Sequence, residues 1–361
     1  MIGRRTFIAG VAAGAAATVV GTPAPALAGS RKHAPFFAET TLWDASVGPL
    51  VNYHVHGLAV LPDDTILCVT EGRHEVCDAG PRDIVLRRST DGGETWSGTQ
   101  TVVPSVEGQS WGNPTLVVDR TTREVFLFYM LSLRLPENTS CSGDSGDLFV
   151  VSSKDGGVTW SAPRSLAGLF DHFPYDWALH GPGPGHGIQL DNGRLLLNVA
   201  HRRVIVGNTV AQRFYGVAPI YSDDHGATWH ATAEIPVSTD YPINEARLVQ
   251  RDDGTVLVNG RFAAGGNVQR IVAVSGDRGL TWSPPKLDGG TGLFNAVDAT
   301  RPAPGGRSRS CASRPRGAAA ARSSPRRPSA TTSSSRSRWV AAARSRRCSA
   351  TTGPSRAAWS P

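Results

Sequence analysis

Alternating apolar and polar residues run into short polar turns along most of the chain, and one of these turns occurs four times. Its pattern is Ser-x-Asp-x-Gly-x-Thr-Trp, and every fixed position is kept at residues 89–96, 153–160, 222–229 and 275–282. The Asp side chain can accept hydrogen bonds from backbone amides one or two residues further on, and the Gly can take a positive φ without steric cost. Each copy is therefore predicted to be a self-braced turn between two strands, with a structural Asp.

A second hairpin pattern lies between these turns and supplies further strands. It consists of an apolar run, an Asp-rich turn and another apolar run, at residues 58–69, 115–129, 188–199 and 247–261. Each unit thus holds a hairpin, a third strand, the repeated turn and a fourth strand. The turn aspartates at positions 91, 155, 224 and 277 are 64, 69 and 53 residues apart. Repetition of a four-stranded antiparallel unit at this period predicts an all-β fold of the β-propeller type.

The four turns, spaced at the length of a propeller blade, resemble the Asp boxes of the sialidases (neuraminidases), which are six-bladed β-propellers. The resemblance implies a propeller over residues 36–300, of which four complete units can be counted, so that the propeller is expected to be incomplete at its C-terminal side. It also implies an exo-α-sialidase-type glycoside hydrolase that removes terminal sialic or related nonulosonic acids from glycans. Because Asp boxes also occur in unrelated secreted propellers, they support the fold more strongly than the chemistry.

Part of the first unit resembles a site segment of this family. The resemblance places the general acid/base at Asp78, which would protonate the leaving oxygen. His54 stands where the first arginine of the family's carboxylate-binding triad is expected, and it cannot reproduce the bidentate fork of Arg. Glu71 and Arg73 match a segment that borders the pocket, so both are expected to contact substrate. The residues alone also allow a turn-forming Asp78, a surface salt bridge of Arg73, and a metal pair formed by His54 and His56.

A later strand pair resembles a second site segment of the family, with the pattern NE…DG…NxR. The resemblance makes Glu245 the glutamate that activates the nucleophile and Arg261 the second arginine of the triad. Both would face the propeller axis, because a strand–turn–strand unit returns the chain beside itself. A simple hairpin salt bridge between them is the alternative. The segment Gly183–Gln189 is similar to a family segment at the rim of the pocket.

The nucleophile implied by the resemblance is a tyrosine, and no tyrosine stands at its expected place. All six tyrosines precede Glu245, whereas the family's nucleophile follows it, and the third triad arginine is expected in the same later region. Little or no turnover is therefore expected of this chain. Three hypotheses remain: an exported hydrolase of the sialidase lineage, a non-catalytic glycan-binding propeller, and an interaction protein whose propeller carries a basic tail.

Residues 1–28 indicate an export signal of the twin-arginine type, and so a secreted protein. Arg4-Arg5 precedes a short apolar run, and Ala26-Leu27-Ala28 offers a cleavage site. A membrane anchor is the alternative, but the apolar run is too short to span a bilayer.

The net charge of +7 comes from residues 301–361, which contain 14 Arg and no acidic residue, whereas residues 1–300 hold 23 basic and 30 acidic side chains. This Arg-, Ser-, Ala- and Pro-rich tail is predicted to be disordered, either as a natural extension or, as we favour, as the product of a reading-frame slip. A run of Arg is typical of nucleic-acid binding, but no nucleic-acid-binding module accompanies it. We expect acidic glycans as partners of a monomer, and neither nucleic acid nor membrane.

The five cysteines show no metal-ligand spacing, and their odd number argues against a complete disulfide framework. Cys68 and Cys77 could close a small loop after export, or the thiols could simply be buried. We expect no metal and no cofactor.

Overall fold

The computed structural model describes residues 38–289, except 107, 135–140, 142, 144, 174–176, 204–213 and 264–268, together with residues 336–340. In this part of the chain the structure consists of twenty strands and one short 3-10 helix, Ala167–Phe170. The strands form four sheets of four or five strands and one two-stranded pair. None of the described residues belongs to a helix long and apolar enough to cross a membrane. The predicted all-β class is confirmed.

Sheets 1 and 2 come first in the chain. After strand β1 (Glu39–Asp44), sheet 1 contains β2 (Asn52–Val60), β3 (Ile66–Arg73), β4 (Arg82–Ser89) and β5 (Gln100–Val103) in that order. Sheet 2 contains β6 (Trp111–Val118), β7 (Val125–Leu131), β8 (Leu148–Ser153) and β9 (Arg164–Ser165). All neighbours within these two series are antiparallel.

Sheets 3 and 4 repeat this arrangement with one irregularity at the start of sheet 3. Sheet 3 contains β10 (Leu179–Pro182), β12 (Ile188–Gln189), β13 (Leu195–Arg203), β14 (Phe214–Ser222) and β15 (His230–Ala231), while β11 (Gly185–His186) pairs in parallel with β6 of sheet 2. Sheet 4 contains β16 (Ile243–Gln250), β17 (Val256–Phe262), β18 (Ile271–Ser275) and β19 (Lys286–Leu287). In all four sheets the last two strands are joined by the repeated turn, as the sequence repeat predicts.

The repeated turn is braced by its own side chains. In the first copy, the Ser89 hydroxyl donates to Asp91 Oδ1 (2.8 Å) and accepts from the Gly93 amide (2.8 Å), and the Thr95 amide donates to Asp91 Oδ1 (2.9 Å). The other three copies make the same bonds. Hydrogen bonds from Thr95 and Ser89 lower the pKa of Asp91 to about 2. The Asp is therefore structural as predicted, although it reaches an amide four residues further on and not one or two.

Each of the last three turns also contacts the preceding sheet. Gly226, with φ of +85°, lies so close to the Phe126 ring of sheet 2 that a Cβ would overlap it, and Arg164 Nη1 donates to the Ala227 carbonyl (2.8 Å). Corresponding close approaches join Gly157 to Leu67 and Gly279 to Leu196. The repeated turn thus fastens each sheet to its predecessor.

Three clusters of buried apolar side chains fill the spaces between successive sheets. They lie between sheets 1 and 2 (Leu67, Leu86, Leu116 and Leu127), sheets 2 and 3 (Phe128, Val150, Leu195 and Leu197), and sheets 3 and 4 (Leu196, Val217, Leu248 and Val258). The sheets therefore pack face to face in chain order. The strands that begin them approach one another, since β2 contacts β6 and β11.

Strand β1 packs on sheet 1 through Leu42 and Trp43, and it pairs antiparallel with β20 (Arg336–Val340). The prediction of a disordered tail throughout residues 301–361 is wrong for these five residues. The physical reason is that the free edge of β1 offers unpaired backbone donors and acceptors, which an extended segment can satisfy. The rest of that tail, and the export signal predicted at residues 1–28, lie outside the described residues.

Candidate active site

A cavity of about 520 Å³, called here the main cavity, is lined by residues from all four sheets. It brings together five of the six side chains that the sequence predicts for the site: His54, Arg73, Asp78, Glu245 and Arg261. Two site segments more than 160 residues apart in sequence therefore share one cavity. The sixth predicted residue, Glu71, is not among the lining side chains.

Irregular backbone on three of the sheet-opening strands faces the main cavity. Register shifts interrupt β2 after His54, β6 after Gly112 and β16 after Ile243. Val55 and Asn113, inside the first two shifts, have φ of 53°, which is uncommon for residues other than Gly and especially for a β-branched one. Bulges next to functional sites redirect side chains that a regular pleat would turn away. The strained backbone therefore marks this cavity as a site independently of its residue types.

Glu71 lies beneath the main cavity and is fully buried. Its carboxylate accepts hydrogen bonds from Arg73 Nη2 (2.6 Å), from Arg82 Nη1 (3.1 Å) and from the Asn113 amide (2.9 Å). The prediction that Glu71 contacts substrate is therefore wrong, because every approach to it is filled by its own partners. Its role is to hold two guanidinium groups in place at the wall of the cavity, which makes it a positioning residue.

Arg73 links this buried carboxylate to two side chains of the cavity wall. Its Nη1 lies 2.8 Å from Asp78 Oδ1, and its Nη2 lies 3.2 Å from His54 Nδ1. Because a guanidinium can only donate, His54 Nδ1 must be the acceptor in this contact, so its proton sits on Nε2. His54 is thus held as a single neutral donor at the place where the resemblance implies a bidentate arginine. The salt bridge considered for Arg73 is present, with Asp78 as its partner, but the arginine itself is buried, with only 4% of its side chain exposed.

Asp78 lies on the loop between β3 and β4, and 64% of its side chain is exposed. The neighbouring residue Cys77 forms a disulfide with Cys141, which ties this loop to the segment that follows β7. The alternative pairing of Cys68 with Cys77 is wrong, because Cys68 is buried in sheet 1, where burial raises the pKa of its thiol to about 12. The carboxyl of Asp78 is therefore accessible to a ligand, while a covalent crosslink restrains its loop.

Glu245 and Arg261 face each other across the β16–β17 hairpin, with Arg261 Nη1 2.8 Å from Glu245 Oε2. The hairpin salt bridge considered from the sequence is present, and it lies in the wall of the main cavity. About a third of each side chain remains exposed, so a ligand in the cavity can reach both.

Several residues of the lining were not identified from the sequence, above all three further arginines. With Arg82, Arg202 and Arg247, the lining holds five guanidinium groups against the two carboxylates of Asp78 and Glu245. Strand alternation could have indicated Arg247, since it lies two residues after Glu245 and thus on the same face of β16. Nothing in the local sequence distinguishes Arg82 or Arg202.

The histidines of the site offer no complete metal centre. Burial and the neighbouring His54 lower the pKa of His56 to about 4. In the described part of the chain, no three His, Cys, Asp or Glu side chains come together as a metal-binding group. The metal pair considered for His54 and His56 therefore lacks a third ligand among these residues.

A family model described as a BNR repeat-like domain matches residues 64–313, which is more than half of the chain. The chain is 35% identical over 289 residues to the sialidase of Micromonospora viridifaciens, and 33% identical over 242 residues to sialidase-4 of Mus musculus. These alignments cover 76% and 64% of this chain, but 43% and 49% of the two relatives. The chain thus spans about half, or less, of the length of these curated relatives.

Two solved structures similar to this chain are the Hadza microbial sialidase Hz136, with a TM-score of 0.55 and 23% identity, and the leech intramolecular trans-sialidase complexed with 2,7-anhydro-Neu5Ac, with 0.54 and 18%. The matches cover 65% and 70% of this chain, and 47% and 53% of those chains. At such identities the likeness is one of fold, and it is to propeller-type proteins. The matching family model and the sequence relatives show that the chain belongs to the sialidase family and carries the family's BNR repeat-like domain.

Proposed function

We propose that the main cavity binds a terminal sialic or related nonulosonic acid of a glycan, and that the protein is an exo-α-sialidase-type glycoside hydrolase. The observation that carries this proposal is the charge of the cavity wall, where five guanidinium groups meet the two carboxylates of the lining and the buried carboxylate of Glu71. Such a surplus favours an anionic ligand, and Arg is the side chain best suited to a carboxylate. The relatives named sialidase supply the sugar class.

Asp78 and Glu245 take the chemical roles in this proposal. Asp78, exposed on a loop that a disulfide restrains, protonates the leaving oxygen of the glycosidic bond. Glu245, also in the lining of the cavity, assists the nucleophile, while Arg261, Arg73 and His54 donate to the sugar. Glu71 supports these contacts from below without touching the ligand.

Turnover by this chain is proposed to be low. The resemblance implies a tyrosine nucleophile, and Tyr215 lies in the cavity lining. An activated nucleophile needs a base within hydrogen-bonding reach, and among the described residues Tyr215 makes no hydrogen bond with Glu245. This observation favours a second candidate function, a propeller that binds acidic glycans without cleaving them.

We further propose that the protein is secreted as a monomer by twin-arginine export, and that its sheets are four blades of a six-bladed propeller. The disulfide between Cys77 and Cys141 supports an oxidising destination, since such bonds rarely persist in the cytosol. The packing of four successive sheets on one another supports the propeller.

Hydrolysis of a fluorogenic sialoside, measured together with binding of free sialic acid, tests the function. We expect weak hydrolysis that Asp78→Asn reduces by at least a hundredfold, with binding largely kept, because loss of a general acid slows the chemical step. Asp64→Asn, in an exposed turn of sheet 1 outside the main cavity, is the matched control and should leave both unchanged. Binding without hydrolysis would establish the non-catalytic alternative, and the absence of binding would refute both.

A further inference from the structure

Arg247 on β16 lies where the main cavity meets a second cavity of about 880 Å³, called here the inner channel. His56 is the other side chain that lines both spaces. The inner channel runs along the strands that begin the sheets, and its lining includes Leu116, His186 and Gln250. Arg247 therefore forms part of the floor of the main cavity.

The guanidinium of Arg247 differs from those of the neighbouring arginines, because none of its N–H groups donates to a described residue. Arg73 and Arg82 both donate to Glu71, and Arg261 donates to Glu245. Arg247 makes no hydrogen bond or ion pair with any described residue. The residue is exposed to solvent, and the partial burial of its head group lowers its pKa. A guanidinium with unused donors at the wall of a cavity can bind an anion, since hydrogen bonds between charged groups are the stronger ones.

The backbone around Arg247 is shaped to admit its head group. Gly185 has φ of +114°, and a Cβ at this position would overlap Nη1 of Arg247. The carbonyl of the same glycine packs so tightly on β2 that a Cβ at Gly57 would meet it at 2.5 Å. The guanidinium therefore lies directly against the backbone of β11, next to the glycine.

The charges near Arg247 leave its own charge uncompensated. Glu245 attracts it but is already paired with Arg261 at 2.8 Å, and Arg270 adds a further positive charge while bound to Asn259. Burial lowers the pKa of His186, and the charge of Arg247 lowers it further. The imidazoles beside Arg247 thus supply no counter-charge, and the floor of the cavity remains cationic.

We propose that Arg247 binds the carboxylate of the acid sugar and determines specificity for acidic over neutral sugars. The inference rests on the proposed function, and it gives this chain a guanidinium contact in compensation for the neutral donor at His54. Arg247 acts by forming a bidentate contact from the floor of the cavity, at a position outside the arginines that the resemblance to the family implies.

Calorimetric titration of the full chain with free sialic acid tests the role of Arg247. Arg247→Gln should weaken binding about ten- to a hundredfold, as expected for loss of a charge-assisted hydrogen bond, and Arg247→Lys should weaken it less. Arg251→Gln, four residues further on in an exposed turn, is the matched control and should bind as the wild type does. N-acetylmannosamine, which lacks the carboxylate, should bind weakly and equally to all four proteins.

Chemical protection provides a second measurement that needs no variant. Phenylglyoxal modifies accessible arginines, and peptide mapping should show that saturating sialic acid protects Arg247 but not Arg251. If sialic acid binds but neither protects Arg247 nor distinguishes Arg247→Gln from the wild type, the inference is wrong while the proposed function stands. If the wild type fails to bind sialic acid, both are refuted.

Discussion

The carboxyl groups of Glu71 and Asp78, seven residues apart in sheet 1 and the loop that follows β3, differ in burial. Glu71 is fully buried and shared by two arginines, whereas 64% of the Asp78 side chain is exposed. Arg73 lies between them and contacts both. The buried group can only organise its partners, and the exposed group can meet a ligand. The guanidinium of Arg73 thus connects the buried Glu71 to Asp78 in the cavity wall.

Replacing Glu71 by Gln should destabilise the protein by about 3 kcal/mol or more, because it leaves two buried arginines without their counter-charge. Urea unfolding measures this loss of free energy. Lys154→Gln is the control, since Lys154 pairs with Glu124 at 3.9 Å on the surface and such pairs contribute less than about 1 kcal/mol. Equal stability of Glu71→Gln and the control would contradict the network's role.

Stability should fall as the pH drops from about 6.5 towards 4. Burial lowers the pKa of His201 well below its usual value, and that of His56 to about 4, whereas an unfolded His titrates near 6.5. Below pH 6.5 the unfolded chain therefore binds protons that the native state does not, which favours unfolding. Burial has the opposite consequence at Glu234, because it raises the pKa of this carboxyl to about 7. As the pH falls from 7 towards the pKa of an unfolded Glu, the native state binds this proton first and is stabilised.

Two variants separate these contributions in urea unfolding at pH 7, 6 and 5. His201→Gln should flatten the fall in stability with acidification, and Glu234→Gln should steepen it. The exposed His172 provides the control, His172→Gln, which should keep the wild-type slope. If neither substitution changes the dependence of the unfolding free energy on pH, His201 and Glu234 are not its source.

At the scale of the element, the repeated turn has two functions. It closes the last hairpin of its sheet through the Ser–Asp–Thr hydrogen bonds, and its glycine lets the turn approach the preceding sheet closely. Arg164 of sheet 2 and Arg194, directly before β13 of sheet 3, each donate to a backbone carbonyl of the next turn. The geometry that the four copies share therefore stabilises both the turn itself and the packing between sheets.

The contribution of packing can be separated from that of backbone conformation with two glycines. Gly226→Ala and Gly254→Ala both place Ala at a positive φ, +85° and +82°, which should cost about 1 kcal/mol each. Around Gly254 a Cβ has open space, whereas at Gly226 it overlaps Phe126, which should add about 2 kcal/mol. Guanidinium unfolding of the two variants should therefore differ by about that amount, and equal losses would show that the turn carries no packing constraint.

The turns and hairpins could be predicted because their signal is local. Ser89, Asp91, Gly93 and Thr95 satisfy one another within seven residues, so their spacing is enough to specify the turn. The bulges that direct the site side chains have no such local signal. The positive φ of Val55 and Asn113 comes from packing and not from a residue type that prefers it. The sequence therefore indicated the strands around the site but not the direction in which the bulges turn the side chains.

At the scale of the whole molecule, the non-local contacts were the ones that sequence reasoning missed. Cys77 pairs with Cys141 across 64 residues, and no spacing rule favours that pairing over others. Glu71 was expected at the pocket because its segment matches one that borders the pocket in the family, yet its burial depends on Arg82 and Asn113 from later strands. The resemblance to sialidases pointed to five residues that line one cavity, and only the packed sheets distinguish the residues that reach it from those that support it.

Charge is distributed unevenly over the molecule. This distribution allows the hypothesis of a glycan-binding cavity to be tested separately from that of an interaction protein with a basic tail. The cationic wall of the main cavity lies within residues 1–300, which are acidic overall, while residues 301–361 carry 14 Arg. Affinity for an extended polyanion should therefore depend on the tail, because long-range attraction follows summed charge. Affinity for a single acid sugar should depend on the cavity.

Two truncations test this on a heparin column and by titration with sialic acid. Removing residues 341–361 eliminates four of the 14 arginines and keeps β20 paired with β1, so elution should shift to lower salt without loss of sialic acid binding. Removing residues 301–361 also removes β20 and reverses the net charge from +7 to −7, so retention should disappear. Because the first truncation leaves the β1–β20 pair intact, its intermediate elution would attribute the effect to charge and not to loss of that pair. Retention that survives both truncations would instead place the polyanion site on the folded sheets.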